Sequence, residues 1–96
     1  MKLKFHGEAT AELEEGLEWY AVRSPDAERA FALAIDHSLA NLLAAPQRFA
    51  EVAPGFRAVR VERFPYQLIY RVVGEIVIVV AVAHLKRRPG YWKRRR

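Results

Sequence analysis

The side chains best suited to chemistry crowd the end of this chain. His84 to Arg96 holds seven Lys or Arg residues and no carboxylate, a balance of +7, whereas residues 1–83 carry nine cations and eleven acids, a balance of −2. Lys86, Arg87, Arg88, Lys93, Arg94, Arg95 and Arg96 suit phosphate oxygens, which arginine can pair bidentately. Tyr91 and Trp92 offer π-faces on which unpaired bases stack, and Pro89-Gly90 makes a turn able to aim them. A solvated tail that only aids solubility is the plainer reading of such a block. The interleaved His84, Tyr91 and Trp92 speak against it, since an inert tail has no need of large aromatics. Trp92 has a second reading as well, folded back to cover the end of the sheet.

His84 closes an apolar strand. It is either a general acid or base, as a group titrating near neutral pH can be, or a ring whose nitrogen ties down the tail. His6 at a strand end and His37 on the polar side of a helix look incidental. Three dispersed histidines without any cysteine lack the paired spacing of a metal site. Five glycines form no phosphate-binding loop, so no cofactor is expected. Ser24 reads as a helix cap and Ser38 lies inside a helix, which leaves no serine nucleophile. The lack of cysteine excludes disulfides and fits a reducing compartment. The longest apolar run, Ile76 to Ala83, has a strand's length and falls short of the roughly 18 residues that span a bilayer. The residues from Met1 to Gly7 lack the pattern of a secretory leader. The expectation is a cytoplasmic protein with no membrane contact.

The elements that must position these residues follow from periodicity. With 96 residues the chain is expected to form one domain, 1–96, with a basic segment at 84–96. Lys2 to His6 alternates and suits a first strand. Glu8 to Val22 reads as a helix with Ala9, Leu13, Leu17 and Tyr20 on its inner side; Glu12, Glu15 and Glu18 fall off that stripe and read as a solvated face. Ser24-Pro25-Asp26 starts a second helix, with Ser24 capping and Pro25 in the first turn. It runs to about Ala45, carries a stripe of Ala27, Phe31, Ala34, Ile35, Leu39, Leu42 and Leu43, and stops at Pro46. Arg57 to Arg63, Gln67 to Val73 and Ile76 to Ala83 read as three further strands. Gly74-Glu75 joins the last two in a type II′ hairpin. The uninterrupted apolar strand Ile76 to Ala83 calls for cover on both faces. The expected fold is α+β, in the order β-α-α-β-β-β, with a helical hairpin on a mostly antiparallel four-stranded sheet. In that topology Phe64-Pro65-Tyr66 and the start of the tail meet at one end of the sheet.

These residues resemble the RelE/ParE toxin superfamily over nearly the whole chain. The resemblance rests on Glu8 to Tyr20 with Trp19-Tyr20, the Ala45-Pro46 stop, Arg63-Phe64-Pro65-Tyr66, the Tyr70-Arg71-Val72 strand, and Ala81-Val82-Ala83-His84 followed by Arg88-Pro89-Gly90-Tyr91-Trp92. It implies a growth-inhibiting toxin of a type II toxin–antitoxin pair, neutralised by a cognate antitoxin protein. RelE-like members cleave messenger RNA on the ribosome without a metal; ParE-like members poison DNA gyrase. On the ribonuclease reading Arg60, Arg63 and Arg88 would stabilise the phosphate, His84 or Tyr91 would move protons, and Lys86 would add charge. Target contacts on either reading would come from Tyr66, Lys86, Arg87, Arg88, Tyr91, Trp92, Lys93 and Arg94. RelE-like ribonucleases commonly have an arginine where this chain has Gln67, and glutamine supplies no charge. The balance therefore falls to a ParE-like, non-hydrolytic action, with the ribonuclease second. A non-toxic, basic nucleic-acid-binding module is the reading from a different class. Two further expectations follow. An antitoxin segment should cover the helical hairpin, where Ala30, Ala32 and Ala34 keep the surface low, and removal of residues 89–96 should leave the fold intact.

Overall fold

The computed structural model describes residues 1–95. A short strand, β1 (Lys2–Phe5), leads into two helices, α1 (Gly7–Arg23) and α2 (Pro25–Ala44), and then into four strands: β2 (Glu51–Ala53), β3 (Phe56–Arg60), β4 (Tyr66–Val73) and β5 (Ile76–His84). Ser24 alone separates the helices and serves both. Its N–H donates to the Tyr20 carbonyl at the end of α1, and its Oγ accepts the Ala27 N–H at the start of α2. His6 caps α1, its Nδ1 accepting the Glu8 N–H at 3.1 Å, so this histidine has a structural task that its position at a strand end did not suggest.

The sheet has five strands in the order β1-β5-β4-β3-β2. The expected count of four omitted β2, whose three residues are too few for an alternating pattern to be legible. β1 lies parallel to β5, with Lys2 opposite Ile76 and Phe5 opposite Val79, and the other pairings are antiparallel. The third expected strand also ends sooner, at Arg60 rather than Arg63. The chain turns there, and Arg63 takes a left-handed backbone (φ 70°) that a strand cannot continue. The hairpin at Gly74 has the expected form. Its φ of 59° is positive and that of Glu75 is not, as a type II′ turn requires.

The helices cover one face of the sheet. Ala9 of α1 and Phe31, Ile35 and Leu42 of α2 pack on Val59, Val61, Leu68, Tyr70, Val77, Val79 and Val82. Opposite Ile69 and Tyr70, β5 holds one residue too many, a bulge that places both Val80 and Ala81 on the other face. That face has no helix. Its buried cluster is Phe56, Ile69, Val80, Ala81, Ala83 and Trp92. The second cover that the apolar strand requires therefore comes from the tail. No helix among the described residues is long and apolar enough to cross a membrane.

Candidate functional site

The start of β4 and the end of β5 are neighbours: Tyr66 pairs with His84, Gln67 with Ala83, and the Leu85 N–H donates to the Pro65 carbonyl at 2.9 Å. The tail thus leaves the sheet beside Phe64-Pro65-Tyr66, as the topology required. It then doubles back through two turns, closed by Arg87 N–H to the His84 carbonyl and Lys93 N–H to the Gly90 carbonyl, both at 3.0 Å. Trp92 is 4% exposed, its ring 4.9 Å from that of Phe56. Of its two sequence readings, folding back on the sheet is the one observed.

β1 stops at Phe5, so the edge of β5 is uncovered from Val80 onward. Two side chains fill that gap. Arg95 Nη1 donates to the Val80 carbonyl at 3.0 Å, and Glu12 Oε1 accepts the Val82 N–H at 2.9 Å. The same carboxylate accepts the Tyr91 hydroxyl at 2.7 Å and both terminal nitrogens of Arg95, at 2.9 and 3.1 Å. Arg87 lies over the Tyr91 ring, 3.9 Å from its centre. Burial, followed by the hydrogen bond to Glu12 and that group's negative charge, pushes the Tyr91 hydroxyl well above its ordinary value. Burial alone would lower the Arg95 guanidinium, but the Glu12 carboxylate outweighs it and the net shift is upward. Glu12 belongs to no exposed acidic face, and this corrects the reading of Glu12, Glu15 and Glu18 as one solvated group. Its difference from the other glutamates lies in the fold: Glu12 stands three residues after Ala9 and four before Gly16, the two residues of α1 that the structure buries.

Beside α1 lies a groove of about 330 Å³ lined by Glu12, Glu15, Gly16, Trp19, Tyr20, Pro65, Tyr66, His84 and Arg87. Tyr66 packs its ring 5.0 Å from both Phe31 and His84. Burial raises its hydroxyl, with Tyr20 and Glu15 adding to the effect. His84 Nδ1 accepts the Lys86 N–H at 3.1 Å, which ties the ring to the first turn of the tail. Arg60 and Arg63 lie elsewhere. Arg60 lines a depression against α2 with His37, Ser38, Asn41 and Glu62; Arg63 lines another with Ala30, Leu33, Ala34 and Phe64. Gln67 pairs with Arg60 on one side and Ala83 on the other. Of the expected target-contacting residues, Lys86, Arg87, Arg88, Lys93 and Arg94 are exposed, Tyr66 and Tyr91 are half-buried, and Trp92 is in the core. Lys86, Arg88, Lys93 and Arg94 form no ion pair among the described residues. The arrangement can present a cluster of cations on a fixed support. The Tyr91 hydroxyl and the His84 Nδ1 are already engaged within the molecule.

Residues 3–89 match the family model described as the ParE toxin of the type II toxin–antitoxin system parDE. The chain belongs to this family. It is 28% identical to Toxin ParE2 of Mycobacterium tuberculosis, in both the CDC 1551 / Oshkosh and H37Rv strains, over 93% of this chain and 86% of the relative. The fold is that of a solved chain of the chromosomal ParDE TA system from P. aeruginosa, with a TM-score of 0.75 and 24% identity over 88% of this chain and 95% of that one.

Proposed function

We propose that this protein is a toxin that inhibits growth by poisoning DNA gyrase in the cytoplasm, without hydrolysing a nucleic acid, and that a cognate antitoxin protein neutralises it. The observation that carries the choice of action is the placement of the residues a ribonuclease would need. Arg60 and Arg63 line depressions against α2, His84 lines the groove against α1, and the Tyr91 hydroxyl is held by Glu12. Proton transfer and phosphate stabilisation require such groups around one reacting centre. Gln67, uncharged, stands between Arg60 and Ala83. Binding a macromolecular target requires only a fixed charged surface, and Lys86, Arg87, Arg88, Lys93 and Arg94 supply it. The antitoxin seat is the α2 side. Leu33 is 64% exposed beside a depression of about 390 Å³ floored by Ala30, Ala34 and Phe64, which suits the apolar side of an amphipathic segment that folds on binding.

The deciding experiment runs two assays in parallel on the purified protein, gyrase supercoiling and cleavage of ribosome-bound messenger. Loss of supercoiling with intact messenger is expected. Messenger cleavage with unaffected gyrase would reverse the assignment in favour of the ribonuclease.

A further inference from the structure

We infer that Glu12 is a positioning residue for the toxin's target surface: from α1 it clasps Tyr91 and Arg95 and thereby fixes the tail that carries Lys86, Arg88, Lys93 and Arg94. The inference rests on the reading of the tail as the target surface, although it does not depend on which target is bound.

Four donors converge on this one carboxylate. Oε1 accepts from the Val82 N–H and Arg95 Nη1, and Oε2 from the Tyr91 hydroxyl and Arg95 Nη2. The side chains of Glu12 and Arg95 are only 11% and 10% exposed, so water competes little for the pair. Glu8 lies 3.6 Å from the same guanidinium, on the solvent side. The clasp joins three parts of the chain far apart in sequence: α1, the free edge of β5 and the tail. It also completes the backbone bonding of that edge, since Val80 and Val82 find their partners in Arg95 and Glu12. Without Glu12, the Val82 N–H and the Tyr91 hydroxyl lose their acceptor, and the Arg95 guanidinium keeps only the Val80 carbonyl and the more distant Glu8. Trp92 in the core and the Arg95 bond to Val80 would remain to hold the tail. A tail fixed before encounter spares the ordering cost of immobilising it on the target. Among its cations Arg95 faces Glu12 at 2.9 Å and acts as a strut, whereas Arg87, 3.9 Å from Glu12, stays more than half exposed. Lys86, Arg88, Lys93 and Arg94 are exposed and form no ion pair among the described residues.

The test compares wild type with Glu12→Ala, Arg95→Ala, the double variant and Arg88→Ala/Arg94→Ala. Growth inhibition on induction without antitoxin is measured alongside amide hydrogen exchange of the purified proteins. In Glu12→Ala the amides of residues 91–95 should exchange about tenfold faster while those of α2 and β4 keep their protection. The inducer level for half-inhibition should rise about tenfold. The double variant should be no less toxic than the weaker single one, because the two side chains act as one unit; a general loss of stability would instead add. Should Glu12→Ala fold poorly, Tyr91→Phe removes one donor only, and the same faster exchange of the tail is expected. Unchanged tail exchange in these variants overturns the proposal, as does a released tail with undiminished toxicity. Full toxicity of Arg88→Ala/Arg94→Ala removes the reading of the tail as target surface, and the functional half of the proposal with it. Loss of toxicity there with none in Glu12→Ala overturns the proposal alone.

Discussion

Trp92 and Gly16 show how single residues set the terms of this fold. Trp92 is the largest side chain on the helix-free face, where it is joined by Phe56, Ile69, Val80, small alanines and the partly buried Ile78 and Tyr91. Trp92→Ala should cost about 3–5 kcal/mol, the range for deleting a buried aromatic, read as a shift of the urea midpoint with unchanged slope. Trp19 is 51% exposed, so Trp19→Ala serves as the contrast and should stay within about 1 kcal/mol of wild type. Equal losses at the two tryptophans would contradict the burial pattern. Gly16 lies in mid-helix, where glycine normally weakens a helix by about 1 kcal/mol relative to alanine. Here an added Cβ would meet Phe31 at 3.0 and 3.2 Å and the Tyr66 hydroxyl at 3.4 Å. Phe31 is fully buried and wedged among the rings of Tyr20, Phe64 and Tyr66, so a shift of its ring disturbs that cluster. Gly16→Ala should therefore destabilise by about 1–3 kcal/mol as an overpacked site, against the sign that helix propensity gives. A more stable Gly16→Ala protein would show that the aromatic cluster of Phe31, Tyr66 and Phe64 is loosely packed.

At the scale of elements, what the sequence announced depended on the length of each pattern. Both helices were legible because seventeen and twenty residues give several turns of period, and because Ser24-Pro25 punctuates them. The strands β4 and β5 were legible from their branched and aromatic runs, and their antiparallel pairing put the tail beside Pro65. β2 was not, and neither was the early end of β3 at Arg60, before a turn that includes a left-handed Arg63 no residue type signals. The clasp was half-visible. The basic tail was conspicuous, but its counter-charge lay some eighty residues earlier, among glutamates that read alike, and only the fold singles out Glu12. The burial of Trp92 bears on the expected removal of residues 89–96, whose cost the sequence left open because alternation within strands says nothing of what covers their second face. Truncation after Arg88 should lower the melting temperature more than Trp92→Ala does, since the bonds of Tyr91 and Arg95 are lost as well. The single-residue linker makes a sharper prediction. Because Ser24 Oγ caps α2 at 3.2 Å, Ser24→Ala should cost about 1 kcal/mol, whereas Ser24→Asn should recover most of it. An alanine variant as stable as wild type would mean that the proline at the first turn suffices.

For the molecule as a whole, the tyrosines offer a test that spans every layer. Tyr20 lies in α1, Tyr66 and Tyr70 in β4, and Tyr91 in the tail. All four hydroxyls are raised above the ordinary 10.0, in each case chiefly by burial. Tyr70 donates to the Pro46 carbonyl and Tyr91 to Glu12, bonds that only the neutral hydroxyl can give. The consequence for stability has a definite sign. A group whose pKa is raised on folding binds its proton more tightly in the native state. Its contribution is fully present below the unfolded value of 10.0 and is lost as pH rises from there through the folded value. Four such groups should make the unfolding free energy flat with pH up to about 9 and then steeply falling. In the native protein, tyrosinate absorbance at pH 10 should fall below that of an unfolded chain, which would show about half of its full signal. Tyr91→Phe removes the largest of the four shifts, so its alkaline transition should be the least steep among single Tyr→Phe variants. A native protein whose tyrosines titrate at the ordinary value, before any loss of structure, would mean that the tail and the sheet end are open to solvent, and would contradict the packing of Tyr91 against Glu12 and of Tyr66 against Phe31.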